Sequence, residues 1–210
     1  MTSLVAVEGA RDEIRKPQTD HRIYRHTTLP NGLTALLISD PAIKAPTKAP
    51  RGPAGCFSCF GKNAASDIEE PDDGDTKTCN AAGALAVGVG NLSDPEDLQG
   101  CAHFVEHMCF LGTKTFPDEN GWSKFLAQHG GNHNAETHGE LTVYYFDVHP
   151  HYLEPALKRF GSFFTAPLFK KSGTAREVKA INNEFELTTQ RDTWISQQLL
   201  AHLTLPGHPY

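Results

Sequence analysis

The stretch His103-Phe-Val-Glu-His107, running on to Gly112, constrains the fold more than any other part of the chain, because three polar side chains interrupt an apolar run at helical spacing. Residues four apart lean from one face of an α-helix. His103 and His107 therefore point the same way, with Glu106 on the flank one turn from His103. Phe104, Met108 and Leu111, at i, i+4 and i+7, give the same helix an apolar stripe beside its polar face. The spacing predicts a helix from near Leu98, with one side in a core and Gly112 where a C-cap glycine is expected.

Two imidazoles at i and i+4 can grip one ion. A hydrolytic zinc takes three protein ligands and keeps one position for water, and a carboxylate beside the ligands is placed to accept that water's proton. The order His-x-x-Glu-His inverts the commoner zinc-protease helix motif. A polar helix end also looks like this, so the motif by itself leaves two readings. On the metal reading a third ligand comes from elsewhere in the chain.

With 210 residues, 39% hydrophobic and 21% charged, the chain is long and apolar enough to bury a core as a soluble protein. No membrane span is visible, and a net charge of -6 argues against a nucleic-acid partner. Residues 1–20 are expected to be a flexible N-terminus without the apolar core or cleavage site of a secretory signal. Five cysteines, an odd number, point to a reducing compartment, and the cytoplasm is the expected location.

Residues 21–210 are read as one domain with an insertion at about 41–80. Arg22–Thr28 and Thr34–Ser39 read as strands of a hairpin turning at Asn31-Gly32, with His21 and His26 exposed. Between Pro41 and Asn80 the pattern breaks. Five prolines (Pro41, Pro46, Pro50, Pro53, Pro71), few large aliphatics and an acidic run from Asp67 to Asp75 mark a mobile surface segment. Cys56 and Cys59 have zinc-knuckle or redox spacing, but only Cys79 lies near as a further thiol and no second pair follows.

Ala81–Val89 reads as a buried strand, ending in glycines approached closely by other backbone. Asp118–His129 is a second helix, with Trp122, Phe125 and Leu126 on one side. Asn132–Thr137 and Leu141–Val148 are strands, and Tyr152–Phe164 is a third helix. Cys101 and Cys109 read as small packing residues. The order of elements implies an α+β fold, a largely antiparallel sheet with helices packed on one face.

Thr174 to about Ala201 reads as one last helix whose stripe of Val178, Ile181 and Phe185 faces a core. Thr174-Ala-Arg-Glu177 fits a capping box, which would occupy Glu177 at the helix start. Glu184 projects from the same flank as Glu177, at the margin of the apolar stripe. A carboxylate there calls for a cationic partner, and a Lys, an Arg or a metal ion would each serve.

His103–Gly112, the stretch Thr113–Val148 with His-Gly-Gly-Asn-His-Asn-Ala and Val-Tyr-Tyr-Phe-Asp-Val, and Arg176–Glu184 together resemble the insulin-degrading enzyme and nardilysin branch of the pitrilysin-type zinc metallopeptidases. The resemblance runs from about Ile23 to Tyr210, apart from the insertion. In the family pattern the third ligand is a Glu separated from the second His by 76 residues. Glu184 stands 77 positions after His107, so 76 residues intervene.

The resemblance implies an endopeptidase with one zinc per chain held by His103, His107 and Glu184. It implies Glu106 as general base, Glu177 as an outer carboxylate orienting the ligands, and Asn134, Ala135 and Trp194 as substrate-binding residues. The partners implied are peptide or small-protein substrates. Relatives in this branch are far longer, with four related units closing around a chamber, so the chain reads as a truncated first unit suited to pairing with C-terminal units or another subunit. The alternative is a catalytically incompetent module of the same family that holds a peptide or a partner without cleaving it.

Overall fold

The computed structural model describes residues 17–41 and 80–204. Most of the expected insertion, with Cys56, Cys59 and the acidic run, lies outside them, as do residues 1–16. The chain divides into two units, residues 1–47 and 48–210.

In the first unit, strands β1 (Ile23–Thr28) and β2 (Thr34–Ser39) pair antiparallel, with Thr28 opposite Thr34. The turn spans Leu29–Leu33. Gly32 adopts φ +85°, and its N–H donates to Leu29 O at 2.9 Å, while Asn31 Oδ1 accepts the Leu33 N–H at 3.1 Å. A glycine serves here because a Cβ disfavours this left-handed backbone. His21 and His26 are exposed, as expected for this hairpin.

The second unit is built on a three-stranded antiparallel sheet in the order β3 (Ala81–Val87), β5 (Thr142–Val148), β4 (His133–Thr137). The central strand is the most apolar. On one face it presents Thr142, Tyr144, Phe146 and Val148, all buried, as period-two alternation requires. Helix α1 (Cys101–Cys109) and α2 (Gly121–Gln128) pack on that face with α3 (Leu153–Thr165). Phe110, just past α1, meets Tyr144, while Trp122 of α2 and Phe160 of α3 both meet Phe146. The core is this aromatic layer together with Leu126, Ala156 and Phe163. The architecture is the α+β arrangement read from the sequence, with helices on one sheet face.

Glycines allow two close approaches. A Cβ at Gly90 would lie 2.2 Å from His138 O, and one at Gly131 would lie 2.1 Å from Asp147 O. Gly131 lets the chain leave α2 and enter β4 in register with β5, where Asp147 N donates to Asn132 O. Strand β3 is less enclosed than expected. It alternates between half-buried and exposed residues because it forms one edge of the sheet.

The C-terminal helical region differs from its sequence reading in three ways. It is two helices, α4 (Lys171–Thr188) and α5 (Asp192–Leu203), rather than one. Helix α4 starts at Lys171, so Thr174 is already inside the first turns, its hydroxyl bonded to Lys170 O at 3.2 Å, and no capping box forms. The stripe is not enclosed among the described residues either. Val178 is 54% and Phe185 53% exposed. Helix α4 instead packs on α1, with Gly173 close against Leu111. No helix among the described residues is long and apolar enough to cross a membrane.

Candidate metal centre

Helix α1 starts three residues later than its periodicity suggested, and Asp94 explains the start. Its carboxylate accepts the N–H groups of Gly100 and Ala102, each at 2.8 Å, satisfying donors that the first helical turn leaves free. Gly100 turns the chain into the helix with φ +87°. Buried Met108 and Cys109 anchor the far end, and Cys109, its thiol pushed up in pKa by burial, is a packing residue. The polar face of α1 is thereby fixed against the sheet.

On that face His103 Nε2 and His107 Nε2 are 3.2 Å apart. Helix α4 crosses there and brings Glu184 Oε2 to 3.8 Å from the first nitrogen and 3.6 Å from the second. Bonds of about 2.0–2.2 Å to a tetrahedral ion separate its ligands by roughly 3.3 Å. The three donor atoms are spread over that span, and the set of two imidazoles and one carboxylate suits a divalent cation of zinc's type. One seven-residue step earlier on α4, Glu177 Oε2 lies 3.1 Å from His107 Nδ1. A carboxylate can only accept, so Nδ1 carries the proton, and in the neutral ring Nε2 presents its lone pair toward His103 and Glu184.

Glu106 is 7% exposed, and its carboxylate is grouped with the two imidazoles, ligand atoms all within 4.8 Å. Both Glu106 and Glu184 are near enough to complete a trio. Glu184 makes the shorter approaches, while Glu106 Oε2 is engaged by the Thr137 hydroxyl at 2.5 Å. Thr137 was not singled out in the sequence. Its only sequence signal is strand parity, two residues on from Ala135 and on the same sheet face.

Strand β4 lies at the sheet edge opposite β3. Asp147 N donates to Asn132 O and His138 N donates to Leu141 O, so the even-numbered residues bond toward β5. The backbone groups of His133, Ala135 and Thr137 consequently point away from β5, toward the open edge. Asn134 is exposed, with Nδ2 3.4 Å from the Tyr145 hydroxyl, and Ala135 is buried. Trp194 on α5 meets Phe185, the neighbour of Glu184, edge to face at 5.8 Å. Helices α1 and α4 thus bring together His103, Glu106, His107, Glu177 and Glu184. Asn134 and Ala135 lie on the strand that also holds Thr137.

A family model described as Insulinase (Peptidase family M16) matches residues 72–207. The insulin-degrading enzyme of Drosophila melanogaster is 41% identical, over 95% of this chain and 17% of its own length. A nardilysin-like protein of Arabidopsis thaliana is 37% identical, over 100% of this chain and 23% of its own length. The human insulin-degrading enzyme is 39% identical, over 98% of this chain and 17% of its own length. The crystal structure of pitrilysin aligns with a TM-score of 0.75 at 30% identity, covering 100% of this chain and 18% of that one. The chain therefore spans less than a quarter of the length of these relatives.

Proposed function

We propose that this chain, which belongs to the insulinase family, peptidase family M16, carries the zinc-holding and proton-accepting half of a metalloendopeptidase site. The observation behind the reading is the convergence of His103 Nε2, His107 Nε2 and Glu184 Oε2 at 3.2 to 3.8 Å. These three would hold the ion. Zinc bound there supplies Lewis acidity and a hydrolytic water reactive at neutral pH.

The remaining steps belong to the chain's own groups. Glu106 takes the water's proton and returns it to the leaving amine. Glu177 holds the His107 ring in the tautomer that offers Nε2 to the ion, as carboxylate partners of ligating histidines do. The open edge of β4, with Asn134 and Ala135, receives the peptide backbone as an added strand, and Trp194 is a further substrate-contacting aromatic. Substrates are extended peptides or small proteins. Exposed Val178, Phe185, Leu187, Ile195, Leu199 and Leu203 on α4 and α5 suit burial against further units of a longer polypeptide.

A second reading, a module that holds peptide without cutting it, is favoured by one observation. The Glu184 side chain is 56% exposed, so the described residues leave the site open on that side. Glu106→Gln separates the two readings. In any form of the protein that cleaves peptide, the variant is expected to keep zinc near wild-type content and lose chelator-sensitive turnover. Substantial residual turnover removes Glu106 as the base, and wild-type chain that retains no zinc removes the metal reading altogether.

A further inference from the structure

Helix α4 carries both Glu177 and Glu184, yet its own sequence does little to fix where it begins. No side chain among the described residues caps it, and its first turn holds Lys171 and no acid, with Lys170 just before. Two lysines beside the positive end of a helix dipole are unfavourable. Phe169, one residue earlier, takes φ +45°. A residue with a Cβ disfavours this left-handed conformation, which persists only where surrounding contacts hold it.

Those contacts come from residues 112–120, the segment that leaves α1. Leu168 N donates to Gly112 O at 3.1 Å and Lys114 N to Ala166 O at 3.0 Å, so the chain entering α4 runs antiparallel to the chain leaving α1. Lys170 Nζ donates to Pro117 O at 2.8 Å and lies 3.9 Å from Glu119 Oε1, and Arg176 Nη2 donates to Glu119 Oε2. Glu119, its side chain 25% exposed, thus binds one cation just before the helix and another immediately before Glu177. Between these ties a Cβ at Gly173 would lie 2.9 Å from Leu111 Cδ1, so α4 sits close against the end of α1 and a small shift of it moves both carboxylates. We infer that Glu119 is a positioning residue: by clamping Lys170 and Arg176 it sets where α4 lies along α1, and so delivers Glu177 to His107 and Glu184 to both imidazoles. This rests on the metal reading proposed above for its zinc measurement alone.

The test makes two measurements on the full 210-residue chain. Zinc affinity is read by competition against a chromophoric chelator, and the zinc-free chain by nitrogen NMR of its histidine rings at about pH 8, above the ordinary histidine pKa. In that state the Glu177 bond holds the His107 proton on Nδ1. Glu119→Ala is expected to weaken zinc binding about fivefold and to move the His107 signals toward a mixture of tautomers, although Glu119 does not bond that ring. Arg176→Ala does the same to a smaller degree, because Lys170 remains, and adding it to Glu119→Ala costs little more, since both break one tie. Arg176→Lys, which keeps the charge, stays nearer wild type. Glu154→Ala, which breaks the exposed pair with Lys158 on α3, changes neither measurement.

Circular dichroism reports the fold, and Arg176→Ala carries the same comparison should Glu119→Ala lose it. A zinc-holding wild type with unchanged affinity and ring signals in Glu119→Ala overturns this inference alone. A fall in zinc affinity with the ring signals unchanged also overturns it, by reducing the effect to lost negative charge, and so do fully additive losses in the double variant. A wild-type chain that holds no zinc, with ring signals still moved by Glu119→Ala, overturns the metal reading alone and upholds the positioning. No zinc and no movement of the ring signals overturns both.

Discussion

Removing the Glu177 carboxylate tests the metal centre without touching a ligand. Its Oε2 lies 3.1 Å from His107 Nδ1, and both side chains are largely covered, at 18% and 25% exposure. A hydrogen bond to a charged group in such a place contributes about 1.5–3 kcal/mol. Part of that sets the His107 ring with Nε2 toward His103 and Glu184. Loss of the carboxylate frees the ring to rotate and to move its proton to Nε2, which then cannot ligate. Partners of this kind are worth about 10–100-fold in metal affinity, or about 1.4–2.7 kcal/mol, in line with the strength of the bond.

Glu177→Ala is therefore expected to weaken zinc binding by about 10–100-fold. Glu177→Gln, which keeps an acceptor but not the charge, is expected to fall between it and wild type. The assay is competition against a chromophoric chelator, with circular dichroism to show the fold intact. Glu186→Ala is the control, because Glu186 is exposed on the same helix and its carboxylate bonds Asn182, one turn away, rather than a histidine. Equal zinc affinity in Glu177→Ala and wild type refutes the reasoning. So does an equal drop in Glu186→Ala, which would reduce the effect to general loss of negative charge.

Two further expectations concern stability. Gly131→Ala drives a Cβ to 2.1 Å from Asp147 O and is expected to cost about 1–3 kcal/mol in urea unfolding. Gly161→Ala, on α3 with nothing within 4 Å of the new Cβ, is expected to gain about 0.5–1 kcal/mol, and a shared sign for the pair would contradict the packing described. His133 is lowered in pKa by burial, with Nε2 2.9 Å from Ser123 Oγ and Nδ1 without a partner among the described residues. A histidine held neutral in the fold stabilises it fully above its unfolded pKa of 6.5, and that contribution is lost as pH falls through 6.5 toward the folded value. His133→Gln is expected to flatten the acid side of the stability profile, and an unchanged slope would show that the ring accepts its proton freely.

What the sequence made legible were features carried by residue type at fixed spacing. His103, Glu106 and His107 declare a helix face, and the aromatic strand around Tyr144 and Phe146 declares a core. Long-range partnership was less visible. Thr174-Ala-Arg-Glu177 has the pattern of a helix cap, yet Glu177 bonds a histidine 70 positions earlier, and only the crossing of α4 over α1 decides between the two. The break between α4 and α5 carries no Gly or Pro. It is made by Thr189, whose hydroxyl turns back to Glu186 O at 2.8 Å. Periodicity gave Val178, Ile181 and Phe185 a common face but not what covers it. Asp94 gave no cap signal because the N–H groups it caps lie six and eight positions on, across the turn. Thr137 was invisible because its hydroxyl matters only once β4 lies beside α1.

The openness of the site leads to the last prediction, that the 210-residue chain by itself holds about one zinc but cleaves peptides weakly or not at all. The ligand atoms already converge, and holding them close costs little once α1 is anchored by Met108 and Cys109 and α4 packs across it. Cleavage asks for more. The tetrahedral transition state needs donors aimed at its developing oxyanion and a site that excludes water, because such dipoles act strongly only where solvent does not screen them. Glu184 is more than half exposed, and among the described residues the groups closing on the centre are acceptors and imidazoles rather than a pair of aimed N–H donors. The measurements are metal content by atomic absorption and cleavage of a quenched fluorescent peptide with and without chelator. Zinc near one per chain, lost in Glu184→Ala, with turnover restored when the remainder of a longer relative is supplied in trans, is the expected pattern. Robust chelator-sensitive turnover by the isolated chain would refute this prediction by showing that an open site suffices for cleavage.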